Sequence, residues 1–194
     1  MVPNFRIVNV VATADLDRVI DLDYLPHLFP RIVMYEPSAY QPPAPAYFKS
    51  EDMQGKVSIF PSGKMISVGT KSEEKARQEL ILVADRLKKA KVAELKTDTK
   101  IRIENIVAAS DIGFKPDLKK ISAEGANVVY EPEQFPGAII RLTIPKKAIK
   151  STILLFASGK MVCVGLKNSK DVQKSIQQLF REVGKWQRNR KDNR

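Results

Sequence analysis

The sequence predicts an α+β fold built from two copies of one unit of roughly 95 residues, and three repeated blocks carry that prediction. Phe60-Pro-Ser-Gly-Lys-Met-Ile-Ser-Val-Gly-Thr-Lys71 returns 96 residues later as Phe156-Ala-Ser-Gly-Lys-Met-Val-Cys-Val-Gly-Leu-Lys167. Asn9-Val-Val-Ala12 returns at the same offset as Asn105-Ile-Val-Ala108, and Tyr35-Glu-Pro37 returns 95 residues on as Tyr130-Glu-Pro132. Three blocks in one order at one spacing mean a tandem duplication. Two long copies do not make a solenoid, which stacks three or more short units. They suggest two half-domains about a pseudo-two-fold axis, an object suited to a ligand that is itself nearly two-fold symmetric, as duplex DNA is.

Each copy reads as strand, short helix, several strands, long helix. Residues 4–12 and 100–109 are β-branched and alternate, the pattern of half-buried strands. Short helical segments are expected near 16–25 and 117–123, the second capped by Asp117. Strands follow near 31–36 and 127–131, closed by Glu36-Pro37 and Glu131-Pro132. Ser62-Gly63 and Ser158-Gly159 are turn dipeptides between apolar runs, so each makes a hairpin. Ser72 opens the first long helix, with Ala76, Leu80, Val83, Ala84 and Leu87 on one stripe. Asn168-Ser169 opens the second, with Val172, Ile176, Leu179, Phe180 and Val183 on its stripe. The proline-dense stretch after Glu36 is an edge or a loop. The expected divisions are 1–96, 97–184 and a basic tail at 185–194 that frays from the last helix. Antiparallel strands with two long helices put the helices on one sheet face. The other face is left for solvent or a ligand.

Charge narrows the ligand. The net charge is +11, with +2 on residues 1–96 and +9 on residues 97–194. A basic surplus favours a polyanion, because each neutralised phosphate releases counterions. The lone cysteine, Cys163, allows no intramolecular disulfide and reads as a small core residue; that fits a reducing, intracellular setting. No signal peptide and no 18-residue apolar window is seen. His27 stands alone, without the partners a metal or a nucleophile would need. No paired carboxylates and no Ser-His-Asp set appear, so neither an enzyme nor a cofactor is expected.

Alternation decides which residues share the open face. Asn9 and Val11 point one way and Val8 and Val10 the other; Asn105 and Val107 repeat the first arrangement. Ile66 with Val68, and Val162 with Val164, form a second matched pair. Phe60 and Phe156 precede the turns, and Lys64, Lys71, Lys160 and Lys167 fall near the rim. An apolar face of this size is rarely left bare. The minor groove offers sugar edges to apolar groups, and adenine N3 and thymine O2 to an amide donor. Phenylalanines at the ends suit wedging between base steps.

With these blocks in hand, the chain resembles the TATA-box-binding protein family, especially its archaeal members. Glu131-Pro-Glu-Gln-Phe-Pro-Gly137 matches the family hallmark, and the Asn-Ile-Val-Ala, Phe-x-Ser-Gly-Lys-Met and Gly-x-Lys blocks occur in both copies. The match covers about residues 5–183. The resemblance implies a tandem-duplicated saddle: a curved ten-stranded antiparallel sheet, concave on DNA, with four helices on the convex face. It assigns minor-groove hydrogen bonding to Asn9 and Asn105, and wedging to Phe135 and Phe156 in the second copy and to Phe60 in the first. It places Val11, Val107, Ile66, Val162 and Leu154 on the groove floor and sugars. It also implies that Glu131 and Glu133 contact transcription initiation factor B.

The departures are specific. Val68 and Val164 stand where the family usually has threonine, which deletes one hydroxyl in each copy. Tyr40 aligns with a missing phenylalanine; the first copy's next strand reads Ala44-Pro-Ala-Tyr-Phe-Lys49, so only the second copy keeps the arginine, Arg141, and Ser58 replaces the equivalent of Leu154. The first copy is the degraded one. The expected function is that of a general transcription initiation factor that binds and bends A·T-rich promoter DNA through the minor groove. The alternative is a divergent paralogue that binds factor B with weak or altered DNA binding. A homodimer is open in the absence of DNA. The location would be the nucleoid in an archaeon or the nucleus in a eukaryote.

Overall fold

The computed structural model describes residues 4–37, 44–144 and 149–188. The elements are β1 (Phe5–Asp15), α1 (Leu25–Leu28), β2 (Val33–Met34), β3 (Ala46–Phe48), β4 (Lys56–Ile59), β5 (Lys64–Thr70), α2 (Glu73–Lys89), β6 (Arg102–Asp111), α3 (Leu118–Glu124), β7 (Val128–Val129), β8 (Gly137–Ile144), β9 (Ile149–Phe156), β10 (Lys160–Leu166) and α4 (Ser169–Arg188). The ten strands form an antiparallel hydrogen-bonded series, β2-β3-β4-β5-β1-β6-β10-β9-β8-β7. The second half of the element list repeats the first, so the duplication is structural as well as textual.

The chain divides into two compact units, Asn9–Glu104 and a second made of Met1–Val8 with Asn105–Arg194. In the first unit α2 lies on β4 and β5. Its expected stripe is the buried one: Ala76, Leu80, Val83 and Leu87 are fully inaccessible and Ala84 nearly so. Val10, Ala12, Phe48, Val57, Ile59 and Met65, the inward residues of the strands, are buried as well. In the second unit α4 lies on β8 and β10. Val172, Ile176, Leu179 and Val183 are buried with Ile106, Ile140, Ile153, Leu155 and Met161. Phe180, expected on the same stripe, is only half-buried.

Caps fall where local chemistry places them. The Ser72 side chain accepts from Lys75 N at 3.0 Å, Asp117 Oδ1 from Lys120 N at 3.1 Å, and Asn168 Oδ1 from Asp171 N at 2.8 Å. The first short helix differs from expectation. It covers Leu25–Leu28 rather than 16–25. Asp15 and Asp21 accept from the amides of Asp17 and Asp23 (2.9 and 3.1 Å), and Asp17 sits at φ 55°. These side-chain turns compete with helix over the residues where a helix was expected. The strands near 31–36 and 127–131 shorten to two residues each, and β3 starts only after Pro45. At the other end, α4 runs through Arg188, taking in the start of the basic tail. Among the described residues no helix is long and apolar enough to cross a membrane.

Candidate nucleic-acid interface

The sheet face turned away from the helices is set by alternation, interrupted where the register shifts. On β1 Val10, Ala12 and Ala14 are buried while Asn9, Val11 and Thr13 are part-exposed; on β6 Ile106 and Ala108 are buried while Asn105, Val107 and Ala109 are part-exposed. On β5 Lys64, Ile66 and Val68 share the open face, and on β10 Lys160, Val162 and Val164 do. The sequence alone puts Asn9, Val11, Asn105, Val107, Ile66, Val68, Val162 and Val164 on one face and Lys64 and Lys160 near its rim; Thr13 and Ala109 are additions from the structure.

Cross-strand register turns these residues into rows. In the first unit Met34 pairs with Tyr47, Tyr47 with Ser58, Ser58 with Ile66, and Ile66 with Thr13. In the second, Val129 pairs with Ile139, Ile139 with Leu154, Leu154 with Val162, and Val162 with Ala109. The second row is apolar throughout. The first carries three hydroxyls, and Thr13 Oγ1 donates to Glu104 Oε1 at 3.2 Å. Ser58, equivalent to Leu154 by register, is 8% exposed.

Each asparagine is fixed by a glycine on the neighbouring strand. Gly69 N donates to Asn9 Oδ1 at 2.7 Å, and Gly165 N donates to Asn105 Oδ1 at 2.9 Å. Both glycines have φ near +90°, a conformation a side chain resists. Both lie where the strand register shifts, between Val10 and Ala12 and between Cys163 and Leu166. With its oxygen committed, each carboxamide offers its NH2 group. A donor on an apolar surface suits the acceptor-only A·T edge of a minor groove.

The aromatic groups sit at the strand ends. The rings of Phe135 and Phe156 are 5.8 Å apart between centroids and tilted by 57°. The turn after Phe156 is closed by Gly159 N donating to Phe156 O at 2.9 Å, and Gly63 N does the same to Phe60 O. Tyr40 lies outside the described residues.

Comparison with known proteins decides the family. The family model described as "Transcription factor TFIID (or TATA-binding protein, TBP)" matches residues 4–90 and again 100–186. The chain belongs to the TATA-binding protein family. It is 35% identical to the TATA-box-binding protein of Pyrobaculum aerophilum over 181 residues, covering 93% of this chain and 86% of that one. To the Pyrococcus furiosus TATA-box-binding protein it is 36% identical, covering 93% and 90%. The solved structure of the Methanococcus jannaschii TBP superposes with a TM-score of 0.78 at 32% identity, covering 94% of this chain and 99% of that one. The TATA-binding protein family consists of general transcription factors, and both copies of its repeat are present here.

Within this TATA-binding-protein fold, the remaining expected residues are exposed or part-exposed. Glu131 and Glu133 are exposed on the loop before β8, where Glu131 O accepts from Gln134 N and Phe135 N at 3.0 Å each. Arg141 is exposed on β8, and Lys71 and Lys167 are exposed just beyond β5 and β10. Sequence reasoning missed Lys56 and Thr152. Register places them cross-strand from Val68 and Val164, on the open face. The period-2 pattern of β4 and β9 carried the signal; without the hairpin register their valine partners could not be named.

Proposed function

We propose that the chain binds A·T-rich duplex DNA through the minor groove, bends it, and then engages transcription initiation factor B. The observation that carries this reading is the pair of glycine-anchored asparagines, each presenting an amide donor from a largely apolar sheet face. Apolar neighbours Val11, Ile66 and Val68, and Val107, Leu154, Val162 and Val164, would lie against sugars and base edges. A guanine amino group there would meet apolar surface and go unpaired, which favours A·T steps. Phe135 and Phe156, with Phe60 in the other unit, are the wedges that would unstack base steps. Lys64, Lys160 and Arg141 would meet phosphates.

Beside the degraded first copy, one motive for the reading with weak or altered DNA binding is the valine pair Val68 and Val164. Lys56 and Thr152 stand beside those valines, so each unit keeps a polar group there. That removes the part of the motive that came from the two valines. Factor B is assigned to Glu131 and Glu133 because they are exposed acids on a loop anchored by Phe135. Without DNA, two copies pairing through the same apolar faces is the proposed resting state, and sedimentation with and without duplex tests it. The setting is intracellular, where promoter DNA is.

The deciding experiment is an equilibrium titration of a TATA-containing duplex against a GC-substituted one, with and without factor B. Tighter binding to the first, with bending, is expected. Equal affinity for both would reject minor-groove A·T reading.

A further inference from the structure

The open face of the Asn9–Glu104 unit carries a cation outside the matched set, Lys56. Its significance comes from the fate of a different lysine. In the second unit β8 and β9 pair Arg141 with Thr152. The position 96 residues before Thr152 is Lys56. In the first unit β3 and β4 pair Phe48 with Val57, so one step further along the same register Lys49 falls opposite Lys56. Lys49 is therefore the positional counterpart of the exposed Arg141.

Lys49 does not serve as Arg141 can. Its Nζ donates to three carbonyls, Met53 O at 2.7 Å, Gln54 O at 3.0 Å and Gly55 O at 2.7 Å. An ammonium has three N–H donors. All three are committed to the turn that leads into β4, and none remains for a phosphate.

Lys56 is in the opposite condition. It is exposed, and its Nζ stands 4.3 Å from the centroid of the Tyr47 ring. Tyr47 is opposite Ser58, so Lys56 and Tyr47 are diagonal neighbours on the open face. A cation over a ring is held by the ring's quadrupole, without consuming an N–H donor. The ammonium is thus positioned and keeps its hydrogen-bonding capacity. It also stands beside Val68, at the edge of the apolar floor.

We propose that Lys56, steadied on Tyr47, is a phosphate-binding cation of the first unit in addition to Lys64, and takes there the role proposed for Arg141 in the second. The displaced function moves one strand inward, from the end of β3 to β4. This inference rests on the DNA-binding reading above. A lysine suits the task as a compact point charge on a flexible stem.

The test is titration of the full chain with a fluorescent A·T-rich duplex at several salt concentrations. Wild type is compared with Lys56→Met, Lys56→Arg and Lys49→Met. Losing one phosphate contact should lower the magnitude of the log K against log salt slope by about 0.9 in Lys56→Met. Lys56→Arg should retain the wild-type slope. Lys49→Met should leave the slope unchanged while lowering the melting temperature, since its partners are the chain's own carbonyls. A wild-type slope in Lys56→Met, or a slope reduced by Lys49→Met instead, overturns the assignment while the DNA reading stands. Absence of duplex binding by the wild type overturns both.

Discussion

Asn9 Oδ1 accepts a hydrogen bond from the Gly69 amide at 2.7 Å, and the same bond recurs between Asn105 and Gly165 at 2.9 Å. The contact separates two roles of one side chain. The oxygen serves the fold, and on the DNA-binding reading proposed above the NH2 serves the ligand. Asn9→Asp and Asn105→Asp keep the acceptor and delete the donor, adding a negative charge that faces phosphate. Each should weaken duplex binding by roughly 2–3 kcal/mol, because a base acceptor loses its partner and a charge is left unpaired. The melting temperature should hold within a few degrees. A matching loss of stability in a thermal scan would show that the NH2 group serves the fold instead.

The wedges are testable by bending. Phe135→Ala and Phe156→Ala should each reduce the bend measured by energy transfer across an end-labelled duplex. Affinity should drop by at most a few kcal/mol, since unstacking and its compensating contacts vanish together. The two rings are in contact, so the double mutant should lose less than the sum of the single losses. Unchanged bending in both single mutants would remove the wedge mechanism.

Val68→Thr with Val164→Thr should tighten binding to a TATA duplex by about 1–3 kcal/mol, from two hydroxyl hydrogen bonds. Both valines are part-exposed on the open face and the exchange leaves the charge unaltered, so the salt slope should not move. Weaker binding in the double mutant would show that these positions do not face the bases.

Charge reversal at Glu131 and Glu133 should abolish the complex with factor B on DNA and spare binary DNA binding. Gel-shift assays with and without factor B read the two separately. Equal loss in both assays would place these acids in the DNA site or in the fold.

The stability of the first unit has a local weak point at Gly55. A Cβ there would fall 2.3 Å from Val68 O and 2.9 Å from Glu79 Oε2. Glu79 is 1% exposed, and its Oε1 accepts from Gln54 N at 2.7 Å and Gly55 N at 2.9 Å. The second unit has Ser151 and Ser175 at the equivalent positions, joined at 2.6 Å. Gly55→Ala should destabilise the protein by about 1–3 kcal/mol through overpacking against backbone. Chemical denaturation measures it, and a midpoint equal to wild type would refute the packing argument.

Much of this protein was legible in its sequence because the deciding forces are local. The 96-residue echo revealed the duplication. Period-2 alternation on β1, β5, β6 and β10 placed Asn9, Ile66, Asn105 and Val162 on one face, since a pleated strand has only two sides. The helix stripes and the caps at Ser72 and Asp117 followed from spacing and from short polar side chains. Tertiary structure decided what depends on distant partners. The orientation of the Asn9 carboxamide is set by an amide 60 residues away. The capture of the Lys49 ammonium depends on how a turn folds back, and the freedom of Lys56 depends on Tyr47 across a hairpin. Residue type says that a lysine carries charge; only the geometry around it says whether its donors are already taken.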